Sequence, residues 1–144
     1  PSSTILSRRV VAAVPETAEG LGLPAGAPVL ALRRLRSVAG EPCLLEQLWL
    51  PLPAFEALKE SDPATWGDLL YPLYQRLCGI TVNKAEDDLR FGLLTQEQAA
   101  LLRLDAGHPC VQVQRRAFDL GGRCIELRTT LGDAFAFQYT AQVR

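Results

Sequence analysis

Two arginines, Arg34 and Arg36, alternate along a segment whose neighbours on the same side are Leu30 and Leu32. A strand sends every second residue to one face, so the two guanidiniums project together, ~6–7 Å apart. On the following segment Leu44, Glu46, Leu48 and Leu50 form an apolar row broken by one carboxylate. A turn at Ala39-Gly-Glu sets Arg34 across from Glu46 and Arg36 across from Leu44. Leucine rows face cores, and a charge withdrawn from water needs a partner or a ligand. Two chemistries are open here. The arginines could be closed off in a salt bridge to Glu46, or they could grip a carboxylate or phosphate while Glu46 orients a hydroxyl or amine of the same ligand. A second pair of segments carries related residues. Val111, Val113, Arg115 and Ala117 share one face; on the other, Arg116 is expected opposite Glu126 and Gln114 opposite Arg128.

The elements that hold these residues occur twice. Leu21-Gly-Leu-Pro-Ala-Gly-Ala-Pro28 recurs as Leu102-Arg-Leu-Asp-Ala-Gly-His-Pro109, 81 positions on. At that offset Glu16 meets Glu97, Arg34 meets Arg115, Gly40 meets Gly121 and Cys43 meets Cys124. So long a period in two copies is not a solenoid, which stacks more and shorter units. It describes one domain of two related halves, with the junction as a natural ligand site. Each half opens with an extended segment, Ile5 to Val14 and Thr81 to Leu93. A short helical segment follows, and Thr95 with Gln98 forms a capping box for the second. A two-stranded hairpin completes each half: Val29–Val38 with Cys43–Leu50, and Cys110–Asp119 with Cys124–Leu131. Between the halves lie a short helix, Ala54 to Lys59, and a longer one, Leu69 to Cys78, which Asp68 is expected to cap and whose Leu70, Leu73, Tyr74 and Leu77 form one stripe. Ala136 to Val143 alternates like an edge strand. The expected fold is α+β, an antiparallel sheet with helices on it.

Composition narrows the class. At 144 residues, 48% hydrophobic and 22% charged, the chain fits one globular domain. A formal charge of −1 offers no field for nucleic acid. No apolar run is long enough to span a bilayer and no signal-peptide pattern occurs, so a cytoplasmic location without membrane partners is expected. Cys43, Cys78, Cys110 and Cys124 form no CxxC and the single His108 lies in a turn, so no metal, no cofactor and four reduced thiols are expected. There is no Gly-rich phosphate loop and no Ser-His-Asp set. The chain lacks methionine and begins at Pro1, which suggests a piece of a longer protein.

Arg34-Leu-Arg36-Ser-Val-Ala-Gly40-Glu-Pro42, followed by Glu46 and Leu50-Pro51, resembles the signature of the UTRA domain, the effector-sensing part of HutC-type GntR transcription regulators. Leu70-Tyr71, Gln98–Pro109 and Asp119–Glu126 extend the resemblance in the same order. It implies a chorismate-lyase-like fold with a curved antiparallel sheet, a UTRA ligand-sensing domain over residues 1–144, and a winged helix-turn-helix domain that precedes it and is absent from this chain. It also implies a small-molecule effector, a homodimer, and contact with DNA only through the absent domain. Relatives that recognise sugar phosphates hold the phosphate at the positions of Arg34 and Arg36 and touch the sugar at those of Glu46 and Glu126. The effector is expected on the face of Arg34 and Arg36, closed by the central helix near Tyr71. Two departures weigh against a sugar phosphate here: Leu69 replaces the family's serine before Leu-Tyr, and the stretch after Glu126 is short of aromatics. Arg128 is expected to add a third positive group, which favours a carboxylate. The alternatives are a chorismate-lyase-like enzyme of the same fold and a purely structural dimerisation module.

Overall fold

The computed structural model describes residues 1–144. Six strands form one antiparallel sheet: β1 (Ser2–Ala12), β2 (Pro28–Val38), β3 (Glu41–Pro51), β4 (Val82–Leu93), β5 (Pro109–Asp119) and β6 (Cys124–Asp133). Their spatial order is β1-β2-β3-β6-β5-β4, so the first half runs outward from the centre on one side and the second half on the other. The sheet is thus a palindrome of the sequence repeat, and the halves meet along β3 and β6. Helix α1 (Pro15–Leu21) and helix α4 (Gln96–Leu102) are repeat mates as well. Each ends in a left-handed residue, Gly22 in one and Arg103 in the other. Each following turn closes the same way: Gly26 N–H donates to Ala13 O and Gly107 N–H to Leu94 O, both at 2.8 Å. Thr95 and Gln98 form the expected capping box.

Alternation sorts side chains onto two faces. Helices α1 and α4 cover one face, over Val29 and Leu127 in one cluster and Leu45, Cys110 and Leu131 in the other. The insert between the halves supplies α2 (Glu56–Glu60) and α3 (Leu70–Cys78). These bury Leu30, Leu32, Leu48 and Leu50 on the opposite face, under Phe55, Leu58, Leu73 and Tyr74.

Three local expectations are corrected. The second hairpin is one residue out of register with the first. Arg34 lies opposite Glu46, but its repeat mate Arg115 lies opposite Arg128, Ala117 opposite Glu126, Arg116 opposite Leu127 and Gln114 opposite Thr129. The cause is the turn. Ala39 and Gly40, both left-handed, close the first hairpin tightly. The second runs through Leu120–Arg123, held by Asp119 accepting from the Arg123 N–H at 2.9 Å. A slip of one residue moves a row of side chains to the other face, and here it brings Glu126 and Arg128 to the face of Arg115. Second, Asp68 does not cap α3; its Oδ1 accepts from the Ser3 N–H at 2.9 Å, tying the insert to β1. Third, residues 136–143 form no strand. Their alternation describes two-sided chemistry, but alternation alone does not hydrogen-bond a segment to the sheet, and here Phe137 meets β4 through its ring against Phe91.

Candidate functional site

Arg34 and Arg36 on β2, Glu46 on β3, Glu126, Arg128 and Thr130 on β6, Arg115 on β5 and Asp87 on β4 share one face of the sheet, in successive cross-strand register. The N-terminus of α3 lies beside them. The four arginines, with Asp68–Pro72 from the insert, line a cleft of about 240 Å³.

Three of the four arginines are answered by carboxylates. Arg34, 2% exposed, donates from Nε to Glu46 Oε1 at 2.6 Å, and Glu46 is itself 3% exposed. Its Nη1 donates to the Asp68 carbonyl at 3.2 Å. Arg128 donates from Nε and Nη2 to the two oxygens of Glu126 at 3.0 and 2.9 Å, and from Nη1 to Glu46 at 3.4 Å. It also lies over the Tyr71 ring, 5.5 Å from the centroid. Burial opposes the charge on Arg128, but Glu126 and Glu46 outweigh it and hold its pKa up. Arg115 grips Asp87 with two hydrogen bonds of 2.7 and 2.9 Å and donates to the Tyr71 hydroxyl at 3.3 Å. The hydrogen bond from Arg115 holds the Asp87 carboxyl below the ordinary carboxylate range.

Arg36 is the exception. No carboxylate lies within ion-pair distance of it, and its Nε is withdrawn from solvent without an acceptor. Opposite it, α3 is preceded by Leu69, which offers no side-chain cap. The first-turn N–H groups of Leu70 and Tyr71 therefore lack an intrahelical or capping acceptor, and Pro72 has no N–H to give. An uncapped helix N-terminus carries partial positive charge and suits an anion.

Of the expected site residues, the structure gathers Arg34, Arg36, Glu46, Tyr71, Glu126 and Arg128 into one constellation, but their parts differ. Arg34 and Glu46 form the buried ion pair that the sequence left open, so the grip of two free guanidiniums is corrected to one. Arg128 is not a spare positive group, since all of its donor nitrogens are engaged. Glu126 is fully buried and accepts from the Tyr74 hydroxyl as well as from Arg128, so it braces the cleft rather than reaching into it. Burial and the neighbouring Glu126 charge push the Tyr74 pKa well up, which keeps its hydroxyl a donor. Sequence reading missed Arg115, Asp87 and Tyr74 as site residues. The signal for Arg115 was present, because it is the repeat mate of Arg34.

Fold and cleft together describe an antiparallel sheet with an arginine-lined cavity between one of its faces and the start of α3. A family model for the UTRA domain matches residues 1–138. The ligand-binding domain of a protein assigned to the GntR family of transcriptional regulators, from Bordetella bronchiseptica, is 31% identical and superposes with a TM-score of 0.91 over 99% of this chain and 91% of that one. The effector domain of PhnF from Mycobacterium smegmatis is 28% identical, with a TM-score of 0.89 over 99% of this chain and 86% of its own. In sequence, the transcriptional repressor PhnF from Mycolicibacterium smegmatis is 30% identical over 122 residues, 81% of this chain and 48% of the repressor. The chain belongs to the UTRA family, the effector-binding domains of GntR-type transcriptional regulators. It spans about half the length of the curated relatives it matches. No helix is long and apolar enough to cross a membrane.

Proposed function

We propose that this chain is the effector-sensing and dimerising part of a HutC-type, cytoplasmic GntR repressor. A small anionic metabolite binds in the arginine cleft, and its occupancy alters how a DNA-binding domain joined ahead of residue 1 meets its operator. Arg36 supplies the charge that meets the anion, the α3 N-terminus supplies backbone donors, and Arg34, Glu46, Glu126 and Arg128 form the braced floor. Tyr71, held by Arg115 and stacked under Arg128, closes one side. A carboxylate is favoured over a sugar phosphate on charge. Three carboxylates answer three of the four cleft arginines, leaving one positive group for one negative one, whereas a phosphate monoester brings about −1.5 to −2. Leu69 also provides no hydroxyl for a phosphate oxygen.

The observation that carries this reading is the unpaired Arg36 guanidinium facing an uncapped helix. Arg36→Ala is expected to weaken binding of a carboxylate effector by roughly 1.5–3 kcal/mol, the range for a hydrogen bond to a charged group, with the melting temperature of the free domain nearly unchanged. Unaltered affinity, or a fall in melting temperature without loss of affinity, would reject Arg36 as the anion's partner. The family assignment would stand in either case.

A further inference from the structure

The charged cleft does not end at the arginines. Past Arg115 and Arg128 the same sheet face continues as a second depression of about 280 Å³, in which Leu44, Val111, Val113 and Gly132 take over the lining. Helices α2 and α3 cover the other half of this face, over Leu30, Leu32, Leu48 and Leu50, and do not reach these residues. What roofs the depression is Phe137, from the segment that follows β6, its ring 6.5 Å from that of Phe91 on β4. Gly132 shapes the floor: a Cβ there would stand 3.0 Å from Leu44 Cδ2 and 3.7 Å from Val111 Cγ1, filling the space between them. Arg115 and Val111 lie four residues apart on one strand face, so the trough is ~13 Å long at 3.3 Å per residue.

One end is cationic and the other apolar, and the two are continuous through Arg115 and Arg128. Resting on the reading of Arg36 as the anion's partner, we propose that the effector is a monocarboxylate with an unbranched apolar tail. The carboxylate sits between Arg36 and the start of α3, and the tail lies in the trough under Phe137. Asp87 and Glu46, both already bonded to arginines along the way, give a second anionic or strongly hydrated group nothing to pair with.

Titration calorimetry of the chain with butanoate, hexanoate, octanoate and decanoate tests this. Each added methylene is expected to tighten binding roughly three- to fourfold, as burial of a CH₂ implies. Gly132→Val, which fills the trough, and Phe137→Ala, which unroofs it, should both flatten that gain, so that affinity climbs less steeply from butanoate to decanoate than in the unaltered chain. Phe137 lies outside the buried core, so its variant keeps the inference testable should Gly132→Val fail to fold. Wild-type affinity that is flat along the series, with Arg36→Ala still weakening every acid, would overturn the trough and leave the anion site standing. If Arg36→Ala changes nothing for any acid, the anion site itself fails. Tighter binding of glucose 6-phosphate than of every acid would overturn the carboxylate class.

Discussion

Arg36 differs from the other three cleft arginines because nothing in the protein answers its charge. From sequence, Arg34 and Arg36 could both be grips or both be structural, since each interrupts a leucine row. The structure divides the roles by register. Glu46 lies directly opposite Arg34, whereas Leu44 lies opposite Arg36 and cannot neutralise it. The Arg34–Glu46 pair is nearly solvent-free, so removing one partner strands the other. Glu46→Ala is expected to destabilise the domain by about 3–5 kcal/mol, the usual consequence of leaving a buried charge unpaired; a loss below 1 kcal/mol in denaturant unfolding would show that water reaches Arg34. Arg34, Arg36 and Glu46 were legible because charges in apolar rows stand out, whereas Tyr71 was singled out only through the resemblance of Leu70-Tyr71 to the family's central helix. Tyr74 was legible only as core, because its hydroxyl meets Glu126 across more than fifty residues of sequence, and no local pattern announces such a contact.

At the scale of elements, the repeat was legible because its turns and caps are built alike. Leu-x-Leu-x-Ala-Gly-x-Pro specifies a helix stop and a turn whose hydrogen bonds recur atom for atom in both halves. The hairpins were legible as hairpins, but not in their relative register. An ungapped offset cannot register the longer loop at Leu120–Arg123, and side-chain alternation reads the same after a slip of one. That slip has a functional effect: it puts Arg128 where the first half has Glu46, and so makes the two halves of the cleft unlike. Had the register been conserved between them, Leu127 would face the cleft and Arg128 would point under α1. The unpaired segment after β6 illustrates the converse. Its alternating Phe137 and Tyr139 read as strand, yet its contribution is a ring laid over the trough.

For the whole molecule, the palindromic sheet leaves two full-length edges, β1 and β4, with Leu89, Phe91 and Leu93 exposed along the latter. Unpaired edges bearing apolar residues are candidates for pairing with a second copy, which supports the proposed homodimer. Sedimentation of the chain at high micromolar concentration is expected to show dimer; monomer alone at that concentration would refute self-association by this domain. The claim on which the functional reading depends is that an anion meets Arg36. It is tested most directly by ¹⁵N NMR of the arginine Nε–H groups and backbone amides during titration with octanoate. The expected result is a saturable shift of the Arg36 Nε–H together with the Leu70 and Tyr71 amides, while the Arg34 Nε–H, already committed to Glu46, stays in place. Octanoate binding that moves none of these three, or that moves Arg34 and not Arg36, would contradict it.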